Sequence, residues 1–312
     1  MPNVETDEVE KIIGRYFDHK ESVSKRWEKF IGTIYHYTDA AGAVGILSKK
    51  QLWLTDILTT NDYSELTYSL DHTKNIINDK VKSIGDKDHM TKLILEKLEE
   101  SILNTFKKFD FYAACFSKSQ DKLSQWRAYA RDGLGFAIGL KVTEESYSRE
   151  PPKNPADDVK VIPVKYSEEM LRDTLTKEVE STINVLKDKD FITLINREDR
   201  RERALIILLT TVAAAMITEG ILYKHPDFEE ENEVRVLLMD TTANLESSIH
   251  VRSSGDRLTP YIPCNLENHF LVESVTVGPT AREDSVGAIE SLLKASGLDT
   301  VSVGRSRIPY RR

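Results

Sequence analysis

The run Ile34-Tyr35-His36-Tyr37-Thr38-Asp39-Ala40-Ala41, continued by Leu52-Trp53-Leu54-Thr55-Asp56 and Asn61-Asp62-Tyr63-Ser64-Glu65, decides the fold of this chain. Its apolar spacing predicts a strand at Thr33–Tyr37, a short helix holding Val44, Ile46 and Leu47, a strand at Leu52–Thr55, and then a helix start. Polar side chains therefore collect at element ends, where binding groups are usually built. Period-two alternation puts Ile34, His36 and Thr38 on one face of the first strand and Tyr35 and Tyr37 on the other.

Working outward, Val9, Ile12, Ile13, Tyr16 and Phe17 predict an amphipathic helix within residues 1–30. A long helical region follows over Ser64–Lys108, broken near Gly85. Short apolar runs bounded by turn residues predict strands at Phe111–Ser117 and Gly135–Leu140, with a helical turn at Lys122–Tyr129 between them. Pro151, Pro152 and Pro155 mark an exposed loop. Val159–Tyr166 reads as a strand, and residues 167–220 as two helices split near Asp188–Asp190. Strands return at Asn232–Met239, Tyr261–Cys264, Leu271–Gly278 and Thr300–Val303, with a helix at about Arg282–Ala295. The expected architecture is α+β: a mixed, mainly antiparallel sheet with flanking helices. Residues 31–312 are expected to form one domain, with a helical insertion at about 167–220.

The 312 residues carry a formal net charge of −8, which argues against a broad nucleic-acid-coating surface. The one basic cluster, Arg305 to Arg312, reads as a solvated tail. Cys115 and Cys264 lie in apolar, strand-like runs and read as reduced buried thiols. The acidic start lacks the basic and apolar regions of a signal peptide. The apolar run Ala204–Ile217 is too short to cross a bilayer and reads as a buried helix. A cytoplasmic protein without a membrane partner is expected.

Several groups carry candidate chemistry. His36 with Thr38 can hydrogen-bond a sugar diol or an amide, although a core histidine bonded to backbone fits equally well. Asp62 with Glu65 fits a capped helix N-terminus, which is also a place where a ligand meets backbone donors. Glu231, Glu233 and Arg235 would share a face if the strand has begun by Glu231, while Val234 and Val236 pack on the other. Such carboxylates can act as a general base or stabilise a developing cation; an acidic loop with a surface ion pair explains them as well. Ser117, Trp126, Arg127 and Tyr129 gather near the end of the third strand. Trp126 there is either a stacking platform or core. The nucleophile elbow, phosphate loop and dinucleotide glycine patterns are missing.

Taken together, Tyr35 to Thr38, Leu52 to Asp56, Asn61-Asp62 with Glu65, Cys115 to Ser117 and Leu123 to Tyr129 resemble a bacterial family known as domain of unknown function 2971. Lys224 to Pro226, Glu230-Glu231 with Glu233 and Arg235, and Val277 to Pro279 extend that resemblance, which runs from about Ile34 to the end. The family itself implies no activity. The first-strand histidine and threonine, and the helix after them, also resemble the entry to ADP-ribosyltransferase folds. That resemblance implies NAD as cofactor, with His36 and Thr38 holding it and an aromatic ring (Tyr63, Trp126 or Tyr129) against nicotinamide. Glu233, or Glu231 in another register, would be the catalytic glutamate, and Arg127 would meet the pyrophosphate. Asn61, Asp62 and Ser117 would complete the cofactor site. By analogy with transferase toxins it implies a role in phage defence or toxin–antitoxin systems.

Two other classes stay open: a metal-dependent nuclease or hydrolase using Asp62, Glu65, Glu231 and Glu233, and a non-enzymatic nucleotide-sensing or protein-interaction module. The expected partner is a small-molecule nucleotide. The acceptor (protein, nucleic acid or small molecule) and the oligomeric state, a homo-oligomer included, stay open. A shared cleft for His36 and Glu233 is the condition on which the transferase reading depends.

Overall fold

The computed structural model describes residues 4–17, 28–59, 63–85, 88–106, 110–147, 158–240, 245–254 and 256–310. In chain order the elements are α1 (Val4–Ile13), β1 (Gly32–Thr38), α2 (Ala40–Lys49), β2 (Gln51–Asp56), α3 (Tyr63–Ile84), α4 (His89–Phe106) and β3 (Asp110–Ser117). Then come α5 (Leu123–Tyr129), β4 (Phe136–Val142), β5 (Lys160–Pro163), α6 (Glu168–Lys187), α7 (Lys189–Ile195) and α8 (Glu198–Gly220). The chain ends with β6 (Glu233–Asp240), β7 (His250–Ser254), β8 (Arg257–Asn265), β9 (Leu271–Val277), α9 (Ser285–Ala295) and β10 (Ser302–Arg305). The α+β class is as expected. Where one domain with an insertion at about 167–220 was expected, the chain forms two compact units: residues 1–28, 62–109 and 165–226, and residues 29–61, 110–164 and 227–312.

The first unit holds α1, α3, α4, α6, α7 and α8. Its helices bury stripes at helical spacing, such as Ile94, Leu95, Leu98 and Ile102 of α4 and Leu171, Leu175 and Val179 of α6. The expected split near Asp188 is real and has a visible cause. Asp188 caps α7 by accepting from the backbone N–H groups of Asp190 (2.8 Å) and Phe191 (3.2 Å). Its other oxygen accepts from the Tyr16 hydroxyl (2.8 Å) and Arg15 (3.2 Å). A second break at Asn196–Arg197 makes three helices here rather than two. By length and composition α8 could cross a membrane, but 56% of its apolar stretch is buried inside the protein, as in a core helix.

The second unit is built on one ten-stranded sheet among the described residues, mixed and mostly antiparallel. Among the described strands of this sheet, only β9 and β10 run parallel. β1 pairs along its whole length with β4, and β3 along its whole length with β6. The other edge of β3 is shared. β1 touches it only at Tyr35↔Ser117, and β2 only at Thr55↔Ala113 and Asp56↔Tyr112. The sheet therefore forks, and residues 114–116 of β3 face no strand on that edge. Ile34, Phe116, Ile138, Val234, Val236, Leu54 and Ile262 join the main core on one face. A smaller cluster of Tyr37, Trp126, Ala130 and Ala137 packs the opposite face.

The β1–α2–β2 passage follows the expected order. Asp39 caps α2 by accepting from the Gly42 N–H at 2.8 Å. Gly42 has no room for a side chain, because a Cβ there would lie 2.0 Å from the Thr38 Oγ1. Lys50 turns the chain into β2 with a left-handed backbone, φ +51°. The hairpin of β7 and β8 was not foreseen, and it lengthens the predicted strand at Tyr261–Cys264 by four residues at its start.

Candidate functional site

His36 lies at the fork. Its Nδ1 is 3.1 Å from the carbonyl oxygen of Cys115, one of the residues of β3 that face no strand there. A carbonyl only accepts, so Nδ1 carries the proton and Nε2 is left as an acceptor when the ring is neutral. Nε2 has no partner among the described residues. Burial lowers the His36 pKa; the hydrogen bond to Cys115 opposes that shift, and the positive field of Arg252 adds to it. The imidazole is thus neutral near pH 7, with one ring nitrogen free to take a hydrogen bond.

Thr38 takes a different part from the one expected. Its hydroxyl packs against the first turn of α2 at Gly42. It shapes the end of β1.

Glu233 and Arg235 share a face of β6, as alternation requires, and Arg235 Nε donates to Glu233 Oε1 at 2.7 Å. Both side chains are buried, 4% and 7% exposed, so this is a core ion pair and no surface one. Glu231 does not continue that face. It ends a 3-10 turn, and Asn232 follows with φ +49°, which breaks the alternation before β6 begins. The Glu231 carbonyl accepts from the buried Ser117 hydroxyl (2.7 Å), and its carboxylate accepts from the Tyr129 hydroxyl (3.2 Å).

The register also decides which face Glu233 occupies. Tyr35 pairs with Ser117 and Ser117 with Glu233, so these three side chains leave the sheet on one side. His36, the neighbour of Tyr35, leaves from the other side and lies against the Phe116 ring, with centroids 5.2 Å apart. The one-face site of His36 and Glu233 is not built.

Trp126 is core. It is 0% exposed, its Nε1–H donates to Asp121 (2.7 Å), and it meets Tyr37 edge-on at 4.8 Å. It cannot serve as a platform for nicotinamide. Arg127 is exposed, 3.9 Å from Asp132. Asp121 also accepts from Ser306 Oγ (2.7 Å) and the Arg307 N–H (2.8 Å), and Tyr310 donates to Asp132 (2.7 Å). The supposed solvated tail is therefore tied to the α5 region through residue 310. Asn61 and Asp62 lie outside the described residues, as do the side chains of Tyr63 and Glu65. Among the described residues no group of three or more His, Cys, Asp and Glu is placed to hold a metal ion.

The structure adds residues that sequence reading missed. Alternation across β2, β8 and β7 puts Trp53, Thr55, Tyr261, His250 and Arg252 on one face. Trp53 and Tyr261 stack at 4.4 Å, and the Arg252 guanidinium lies over Trp53 at 5.4 Å. The alternation of His250 and Arg252 before the Gly255-Asp256 dipeptide was the signal for that hairpin.

No curated relative and no solved structure matches the chain. A family model does, over a narrower span than the motifs suggested, and it leaves out β1 and β2. From Gln125 in α5 to Val236 in β6, residues 125–236, the chain matches the family described as a protein of unknown function, DUF2971.

Proposed function

We propose that the fork between β1 and β2 binds a nucleotide, with NAD as the first candidate, and that this chain is a nucleotide-binding module. The observation that carries the reading is His36. The fixed proton on its Nδ1 and its lowered pKa leave a neutral Nε2 acceptor, suited to a ribose hydroxyl or an amide N–H. Polar groups with an unused valence in an otherwise apolar setting are the usual means by which a pocket orients a ligand. Calorimetric titration with NAD and ADP-ribose tests it: binding weakened about tenfold by His36→Ala is expected, since one hydrogen bond is worth roughly 1 kcal/mol or a little more. Absence of binding to either compound sinks the reading.

ADP-ribose transfer is a second reading, and the geometry weighs against it, because His36 and Glu233 leave the sheet on opposite sides. Glu233 shares its face with Ser117, Ala113 shares that face, and Ala113 pairs with Thr55 beside Arg252, so Glu233 and Arg252 lie on the same side of the sheet. His36 would have to act from the other side, through the gap. Time-dependent nicotinamide release, lost in Glu233→Gln while the melting temperature holds, is the result this reading requires. Saturable NAD binding without turnover would return the chain to the sensing module. A role in phage defence follows only if transfer is found.

A further inference from the structure

We infer that Arg252 is the phosphate anchor of the fork, and that the ligand it selects is a nucleotide carrying at least one phosphate. This inference rests on the nucleotide reading of the fork.

Arg252 is half-buried on β7, yet no carboxylate pairs with it among the described residues. Among the described residues its one hydrogen bond goes to an uncharged acceptor, from Nη2 to Thr55 Oγ1 at 3.0 Å. Its Nε is buried and has no hydrogen-bond partner. Burial pulls its pKa below the usual arginine value, with the Tyr261 hydroxyl opposing. A guanidinium offers five N–H donors, and burying one without an anion is unfavourable unless something compensates. The Trp53 face compensates part of it, since a cation over an indole is attracted by the ring quadrupole.

The neighbours point the same way. Lys49 Nζ lies 5.7 Å from the Trp53 ring centre, and His250 lies 5.6 Å from Tyr261. No ion pair to a carboxylate occupies Lys49, Arg252 or His250 among the described residues. Elsewhere in this unit cations do find carboxylates, as Arg235 finds Glu233 and Lys50 finds Glu267. Two cations around one aromatic pair, Arg252 and Lys49, with no carboxylate paired to either among the described residues, form a site that lacks its anion. Arginine suits phosphate because its planar fork of donors matches two phosphate oxygens.

The link to the fork is electrostatic. The positive field of Arg252 is the smallest of the causes acting on the His36 pKa, after burial and the Cys115 hydrogen bond. His36 and Arg252 leave the sheet on opposite sides, so one ligand meets both only across the gap beside Cys115, with its ribose hydroxyl at His36 and its phosphate at Arg252. A free nucleoside would use only the first.

The experiment compares adenosine, ADP and inorganic pyrophosphate by calorimetric titration of the full chain. Wild type is expected to bind ADP at least tenfold more tightly than adenosine. Arg252→Gln should remove that difference and leave adenosine unchanged, and Arg252→Lys should keep only part of it. Thr55→Val, which removes the hydrogen bond holding the guanidinium, should weaken ADP by a smaller factor. Melting temperatures are read in parallel: Arg252→Gln should melt no lower than wild type without ligand, because it removes an uncompensated buried charge. Equal affinity of wild type and Arg252→Gln for ADP overturns the inference, and so does failure of wild type to bind ADP or pyrophosphate. If ADP binds through Arg252 while NAD does not bind, the phosphate site stands and NAD as the ligand falls. If NAD binds through His36 and ignores Arg252→Gln, the reverse holds.

Discussion

Two polar regions of the sheet unit are built from similar residues and differ in how completely they are satisfied. Around Ser117, Glu231, Glu233 and Arg235, and around Trp126 and Asp121, donors meet acceptors inside the protein. Nearer the fork, Arg252 Nε is buried without a partner, and His36 Nε2 makes no hydrogen bond among the described residues. Buried polar groups are almost always paired, so an unpaired one is either a stability loss or a place kept for something else. Residue type alone pointed to the first region as the site, because glutamates and a tryptophan beside an arginine look catalytic. Satisfaction of valences points to the second.

That contrast can be broken by mutation. The largest effect is expected in the closed region: Glu233→Ala removes the carboxylate paired with the buried Arg235 guanidinium, and urea denaturation should show a loss of roughly 3–5 kcal/mol. A loss under about 1 kcal/mol would mean that the pair is not the structural unit described. Asp121→Ala removes the acceptor for Trp126 Nε1, Ser306 and the Arg307 N–H; a loss of about 1–3 kcal/mol is expected, along with earlier proteolysis of the C-terminal residues. Neither variant should alter the ligand affinity of the folded protein. At the fork the pattern inverts. His36→Ala should change stability little, leaving one carbonyl to water, and should weaken NAD about tenfold.

The smallest effect is a pH dependence. The folded pKa of His36 lies below its ordinary value of 6.5. Between those two values the unfolded chain binds the extra proton, so stability from this group is full above about pH 6.5 and declines as pH falls toward the folded pKa. Nucleotide binding should be level above neutrality and weaken on acidification, because a protonated Nε2 donates where the ligand hydroxyl needs an acceptor. Tighter binding at pH 5.5 would mean that an imidazolium is attracting phosphate, and would reverse the division of labour between His36 and Arg252.

Much of the fold was legible. The strand–helix–strand passage from Ile34 to Asp56 announced itself because Val44, Ile46 and Leu47 fall at helical spacing between runs rich in β-branched and aromatic residues. Trp126 was ambiguous for a physical reason: an indole is suited both to stacking and to burial, and the choice depends on whether Asp121 lies within reach of its N–H. Asn232 was a quieter failure. Its left-handed backbone shifts Glu231 off the strand face, and a single asparagine in an acidic run gives no clear warning of that.

By itself, the sequence determined the α+β class, the order of the early strands, the buried character of α8, and a histidine on β1 at odds with its apolar face. The tertiary structure alone decided which side of the sheet each candidate occupies, and that the sheet forks beside Cys115. Those facts come from strand pairing between distant segments. Alternation within one strand fixes relative faces, but only the register between strands ties Tyr35 to Glu233 and leaves His36 opposite. The unpaired Arg252 was invisible for the same reason: the absence of a partner is a property of every neighbour, and neighbours are set by the fold.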